Sequence, residues 1–302
     1  MNAFTEFFPG FETHRIEVGD LSFFVRTGGS GPPLLCLHGF PQCHVCWHRI
    51  APTLAQSFSV VLMDLRGYGM SSVPASDPEH RAYSKRTMAQ DAVHVMSALG
   101  HSRFHIMGHD RGGRVAYRLA LDCPHTVICM VLLDIIPTIE QWDGMHAEKA
   151  LSAYHWAFLA QPHPLPETLI QGGPQFYLDY TLASWTKSKS LDAFDPGALN
   201  CYRALFRDNA RIHALCEDYR AGAECDRAID AEDRAAGRKI LAPTLVLWGT
   251  DYLGLGAVSP LETWRRWCAH VSGNKIESGH FLAEENSDAT VAAILPFLTN
   301  SL

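Results

Sequence analysis

Gly108-His109-Asp110-Arg111-Gly112 follows directly on the apolar run Phe104-His105-Ile106-Met107. Small residues on either side of a central side chain let the backbone turn sharply from strand into helix, lifting that side chain clear of a sheet. The central residue here is an aspartate, where such turns usually carry a serine. A carboxylate is an anion at neutral pH and needs no base to activate it. It attacks saturated carbon by displacement and forms an ester. That chemistry asks for a leaving group on carbon, as in halides and epoxides. The bland alternative is an aspartate that only caps the following helix.

Water hydrolyses such an ester slowly unless a general base activates it. His280, after a short strand-like run and a Ser-Gly turn, is the candidate. The imidazole needs a carboxylate to orient it, and two aspartates end apolar runs. Asp134 closes the run 130–133, and Asp251 follows Val246-Leu247-Trp248-Gly249-Thr250. The residues alone leave both open. Arg111 and Arg114 lie one and four positions beyond the nucleophile, and helical side chains three apart share a face. Two guanidiniums there can clamp a substrate carboxylate through charge-assisted, partly bidentate bonds, offsetting its repulsion by Asp110. The alternative for either arginine is a structural acid as partner. Arg118, a turn further on, reads as structural.

The elements that must position these groups follow from the hydrophobic pattern. Amphipathic strands are expected at 15–18 and 21–26, then buried strands at 34–37, 60–63, 104–107, 127–133 and 244–248. Helices are expected at 86–99, from the elbow through 115–121, at 260–270 and at about 288–298, with a short strand at 275–277. From 137 to 225 the strand rhythm disappears into a stretch rich in Trp, Tyr, His and Pro. Alternating strands and helices imply an α/β architecture, a mostly parallel sheet with helices on both faces. The interruption reads as a helical cap inserted over the strand ends, giving a core of 1–136 and 226–302 and a cap of 137–225.

The chain of 302 residues, 47% hydrophobic and 19% charged, fits a globular enzyme. Its net charge of −7 argues against nucleic acid or an anionic membrane as partner. Affinity for an anionic substrate must therefore come from a few local cations. No apolar stretch approaches a membrane span, and no signal peptide is read at the start, so a cytoplasmic location is expected. Nine cysteines without a CxxC pair read as reduced thiols, and sixteen histidines without an HExxH motif give little support to a metal site.

The elbow, the His38-Gly39-Phe40-Pro41 loop, the Asp64-Leu65-Arg66-Gly67-Tyr68-Gly69 loop and the late Ser-Gly-His280 resemble the α/β-hydrolase superfamily over almost the whole chain. The order nucleophile, acid, histidine agrees with it. Asp-Arg-Gly-Gly-Arg at the elbow, His155-Trp156 and Glu217-Asp218-Tyr219-Arg220 are similar to the fluoroacetate (haloacetate) dehalogenases within it. Haloalkane dehalogenases and epoxide hydrolases typically carry Trp after the nucleophile, where Arg111 stands here.

This resemblance implies Asp134 rather than Asp251 as the orienting acid. It implies a halide pocket of His155, Trp156 and Tyr219, each able to offer a hydrogen-bond donor; without it the three read as cap core. It further implies an oxyanion hole from the backbone N–H groups of Phe40 and Arg111, and a homodimer. Neither metal nor organic cofactor is expected, because a carboxylate nucleophile and water suffice. The expected activity is hydrolysis of fluoroacetate and related short 2-haloacetates to glycolate and halide. The enzymatic alternative is an epoxide hydrolase using the same Asp, His and acid, with Tyr154 or Tyr219 as phenol donor. A hydrolase-fold protein that binds a small ligand without turnover is a third reading. His38 and Asp64 are expected to hold their loops, and Trp185 and Tyr154 to belong to the cap core.

Overall fold

The computed structural model describes residues 7–256 and 258–301. Eight strands form one sheet: β1 (Glu12–Val18), β2 (Leu21–Gly28), β3 (Pro33–Leu37), β4 (Ser59–Met63), β5 (Phe104–His109), β6 (Val127–Leu133), β7 (Thr244–Gly249) and β8 (Val271–Ile276). Their spatial order is β1-β2-β4-β3-β5-β6-β7-β8. The β1–β2 and β2–β4 pairings are antiparallel and the remaining pairings parallel. Burial follows that topology. The central β5 is buried along its whole length, as a strand covered on both faces must be, whereas edge strand β1 alternates between exposed and half-buried positions.

Helices α1 (Ala51–Leu54), α2 (Lys85–Ala98) and α3 (Asp110–Asp122) connect the first six strands. Between β6 and β7 the described chain is helical: α4 (Thr138–Asp143), α5 (Ala147–Ser152), α6 (Tyr154–Leu159), α7 (Leu165–Gln171), α8 (Pro174–Trp185), α9 (Pro196–Leu205), α10 (Asn209–Ala223) and α11 (Cys225–Ala235). After β7 come α12 (Pro260–Arg265), α13 (Leu282–Glu285) and α14 (Ser287–Thr299). Asp208 starts α10 by accepting the Ala210 N–H with its side chain, satisfying one amide that has no helical acceptor. That helix carries Asp218 and Tyr219 towards the strand ends. In α11, Asp230 and Asp233 pair with Arg118 of α3 at 2.9 and 2.6 Å, fastening the helix to the one that Asp110 begins.

One expectation needs correction. The helix expected over 260–270 ends at Arg265, and β8 begins at Val271 rather than 275. Trp267 N–H turns back to Trp264 O, and Ser272, Gly273, Asn274 and Lys275 hide the strand pattern. An edge strand such as β8, paired only with β7, can carry polar residues on its outer face.

The neighbours of β3 are β4 on one side and β5 on the other, so the winding direction reverses between β3 and β5. A crevice opens at the carboxyl ends of the strands beside such a switch point. His38-Gly39-Phe40 leaves β3 there, Asp110 leaves β5, and Asp134 leaves the adjacent β6.

Candidate active site

Asp110 sits where β5 becomes α3, with φ +46°, a strained region for a side chain bearing a Cβ. The turn is possible only because its neighbours lack side chains. A Cβ on Gly112 would stand 2.2 Å from Leu37 O, and one on Gly39 would stand 2.4 Å from the Asp110 Cβ. The Phe40 N–H donates to Asp110 Oδ1 at 2.9 Å. The Arg111 amide lies in the first turn of α3, where N–H groups have no helical acceptor. Burial opposes ionisation of Asp110, but its electrostatic interactions with His280, Arg111 and Arg114 outweigh it and hold the carboxyl below the ordinary carboxylate range. The group is an anion.

His280 is buried, and its Nδ1–H donates to Asp134 Oδ2 at 2.5 Å. The other oxygen of Asp134 accepts the Gly249 N–H at 2.9 Å, which fixes the carboxylate. Burial raises the Asp134 pKa from its ordinary value against the opposing pull of His280. His280 Nε2 lies 3.9 Å from Asp110 Oδ2 and has no hydrogen-bond partner. The second strand-end aspartate is placed differently: Asp251 accepts from Thr250 Oγ1 at 2.6 Å and faces Lys187 Nζ at 3.4 Å. His109 donates through Nε2 to His280 O at 2.8 Å. Burial and the neighbouring His280 push its pKa down to about 3, so it supports the loop as a neutral ring. His38 Nε2 accepts the Leu65 N–H, and Asp64 accepts the His44 and Met70 amides; both hold loops.

The arginines are not a symmetrical pair of free clamps. Arg111 binds Asp218 through Nε at 3.1 Å and Nη2 at 2.7 Å, while its Nη1 has no partner. Asp218 also receives Tyr68 Oη at 2.5 Å and Lys85 Nζ. Arg114 donates Nη1 to Ile136 O at 2.9 Å and Thr138 Oγ1 at 3.3 Å, and its Nε has no partner. No carboxylate among the described residues forms an ion pair with it. A buried cation needs a compensating anion. Burial and Arg111 lower the Arg114 pKa, whereas Asp110 raises it. Each arginine thus keeps one buried unpartnered N–H, and Arg114 also lacks a counter-charge of its own.

Aromatic rings enclose these groups. The Arg111 Cζ lies 4.2 Å from the Tyr219 ring centroid, and the Arg114 Cζ 4.4 Å from that of Trp156, placements that favour a guanidinium over a ring face. Tyr219 packs edge-on to Phe40 at 5.3 Å, and to His155 and Trp156 at 5.8 Å each. His155 Nδ1 and the Tyr219 hydroxyl are buried without partners. Burial pushes the His155 pKa down to about 3, with His280, Arg111 and Arg114 adding to the effect of burial and Asp110 opposing it. Burial and Asp110 raise that of Tyr219. Both are neutral donors at pH 7. Two further rings stand against the site: Trp185, which the sequence reading assigned to the cap core, and Tyr252, which it missed. Trp185 lies 4.4 Å from His155 and 5.3 Å from His280, and Tyr252 lies 4.6 Å from His280. Neither has a spacing signal that separates a site-facing ring from a core ring.

An ionised aspartate on a strand-to-helix elbow, with a buried His–Asp pair beside it at the carboxyl ends of a parallel sheet, defines a class of fold and site. The sequence pattern described as alpha/beta hydrolase fold matches residues 32–287, and the chain belongs to that family. It is 41% identical over 294 residues to a fluoroacetate dehalogenase from Burkholderia sp, covering 97% of this chain and 96% of that one. It is 30% identical to a soluble epoxide hydrolase from Corynebacterium sp. (strain C12), with 94% and 96% covered. Among solved structures, a candidate alpha/beta hydrolase from Nostoc sp PCC 7120 superposes with a TM-score of 0.92 at 50% identity, covering 96% of this chain and 98% of that one. No helix among the described residues is long and apolar enough to cross a membrane.

Proposed function

We propose that the protein is a haloacetate dehalogenase that hydrolyses fluoroacetate, and other short 2-haloacetates, to glycolate and halide. One observation carries this reading. Beside an ionised Asp110 lie two arginines with spare buried N–H groups, one of them without its own carboxylate, and two neutral donors without partners. The similarity to the Burkholderia dehalogenase supports it.

Arg114, with the spare Nη1 of Arg111, holds the substrate carboxylate and orients the halogenated carbon towards Asp110. Oδ1 is tied to the Phe40 N–H, so Oδ2 is the attacking oxygen. It forms a bond to the carbon while the carbon–halogen electron pair departs with the halide. Fluoride leaves poorly, and donors from His155, Trp156 and Tyr219 aimed at it stabilise the transition state more than the bound substrate. His280, oriented by Asp134, then takes a proton from water that attacks the Asp110 Cγ. The Phe40 and Arg111 amides support Oδ1 as charge gathers there. Cleavage of the bond between Cγ and the ester oxygen, with the proton returned from His280, releases glycolate. One oxygen of the regenerated Asp110 comes from water.

Residues 137–225 act as the cap in this reading and supply the halide donors. A cytoplasmic homodimer without cofactor is part of the same proposal, the homodimer resting on the resemblance alone.

The test compares fluoride release by the wild type and Asp110→Asn, with styrene oxide hydrolysis assayed in parallel. The wild type should release fluoride and the variant should not. Diol formation without fluoride release would assign the protein to epoxide chemistry instead. In a single turnover in heavy-oxygen water, the label should enter Asp110 before it enters glycolate.

A further inference from the structure

Away from the catalytic crevice, His163, Glu167 and His213 converge where the segment leading into α7 meets α10. We propose that these three side chains form a binding site for a divalent transition metal of the zinc class. Glu167 Oε1 lies 2.9 Å from His213 Nδ1 and 3.3 Å from His163 Nδ1. The two imidazoles meet edge-on at 5.3 Å. The three ligand atoms all fall within 4.8 Å of one another. Zinc bonds of ~2.0–2.1 Å in tetrahedral geometry separate neighbouring ligand atoms by about 3.3 Å. The two separations that involve Glu167 lie within a few tenths of an ångström of that spacing, and the imidazole nitrogens, within 4.8 Å of each other, close on the ion by side-chain rotation.

Chemistry and charge agree with that geometry. Two imidazoles and a carboxylate are a donor set that zinc takes, with a further position left to water. Glu167 is almost wholly buried, and its Oε2 has no hydrogen-bond partner. Arg220 Nη1 donates to Glu167 Oε1 at 2.8 Å and to Glu217 Oε1 at 2.7 Å. A ligating carboxylate is commonly held by such an outer partner. Glu167, Glu217 and Arg220 together leave a formal charge of −1 to meet the cation. His213 is further held through Nε2, 3.2 Å from Ser76 Oγ in the loop between β4 and α2. His163 is mostly exposed, which gives the ion a route in.

A bound ion would clip the entry of α7 to α10, the helix that carries Asp218 and Tyr219. The site takes no part in the proposed dehalogenation, so the two readings fail separately. The test uses full-length protein without an affinity tag, stripped by a chelator and titrated calorimetrically with zinc chloride. Cobalt chloride serves as a second probe through its visible absorption. The wild type should bind about one equivalent with the intense bands of tetrahedral cobalt. His163→Ala and His213→Gln should each weaken binding at least ~10-fold, the scale already set by lost outer partners. Their unfolding temperatures in chelator should stay near that of the wild type. Absence of saturable binding by the wild type overturns the proposal, as does equal binding by the His163→Ala/His213→Gln double variant.

Discussion

Replacing Asp134 by Asn should separate the two chemical steps. Oδ1 of Asp134 accepts the Gly249 N–H at 2.9 Å, and the Asn carbonyl can keep that bond. The amide NH₂ then occupies the place of Oδ2 and faces His280 Nδ1, formerly 2.5 Å from a carboxylate oxygen. A donor there forces Nδ1 to accept, which places the ring proton on Nε2. That nitrogen, 3.9 Å from Asp110 Oδ2, can then no longer take a proton from water. Displacement of halide by Asp110 needs no base and should survive. Ester hydrolysis should fall by roughly 10³–10⁴, the scale for a wrong-tautomer histidine, or about 4–5.5 kcal/mol of barrier. Rapid mixing with fluoroacetate should give a burst of about one fluoride per site and then near-arrest. Intact-protein mass should rise by about 58 Da, a carboxymethyl ester on Asp110. Asp251→Asn, whose parent carboxylate engages Thr250 and Lys187, should turn over like the wild type. Steady turnover by Asp134→Asn within tenfold of the wild type, or a folded variant without burst, would refute the reasoning.

Arg114→Met should raise KM for fluoroacetate by about 10- to 100-fold, the scale of one or two charge-assisted bonds. Arg114 lowers the Asp110 pKa, so its loss should also move the acid limb of the kcat/KM profile to higher pH. Tyr219→Phe removes a buried hydroxyl that has no partner. Its unfolding temperature should hold or rise slightly, while fluoride release slows by about 10-fold or more and chloride release by less. Burial pushes Glu284 up to about 8 against the opposing bonds from Gln42 and Tyr202. The fold therefore favours its protonated form, whose stabilising share is whole below the ordinary value of 4.5 and lost as pH rises through about 8. Glu284→Gln should flatten the decline of Tm between about pH 5 and 8; an unchanged slope would remove Glu284 from the account.

The turn that presents Asp110 was legible because a strand-to-helix turn demands small residues at fixed positions, and Gly108, Gly112 and Gly113 supply them next to an apolar run. The place of His280 beside Asp110 was legible from its order along the chain. The choice between Asp134 and Asp251 was not, since both end strands and only the packing of the His280 loop decides which one the imidazole meets. The arginine pair was read from helical periodicity, which gives the shared face but not the partners. Asp218 is 107 residues from Arg111 along the chain, and no spacing rule connects them. Trp185 was read as cap core and Tyr252 was passed over, because an aromatic residue looks alike whether it lines a crevice or fills a core. The β8 edge was blurred by its own polar face, and His163 and His213 meet only because α7 packs on α10.

Asp218 joins α10 to three separate points beneath it: Arg111 on α3, Tyr68 on the loop after β4, and Lys85 at the start of α2. Swinging the roof open as one piece would strip a buried anion of all three partners at once, a cost of several kcal/mol. Helix α10 is therefore riveted at its middle to three parts of the core, and any parting of the helices above Asp110 has to begin away from that point.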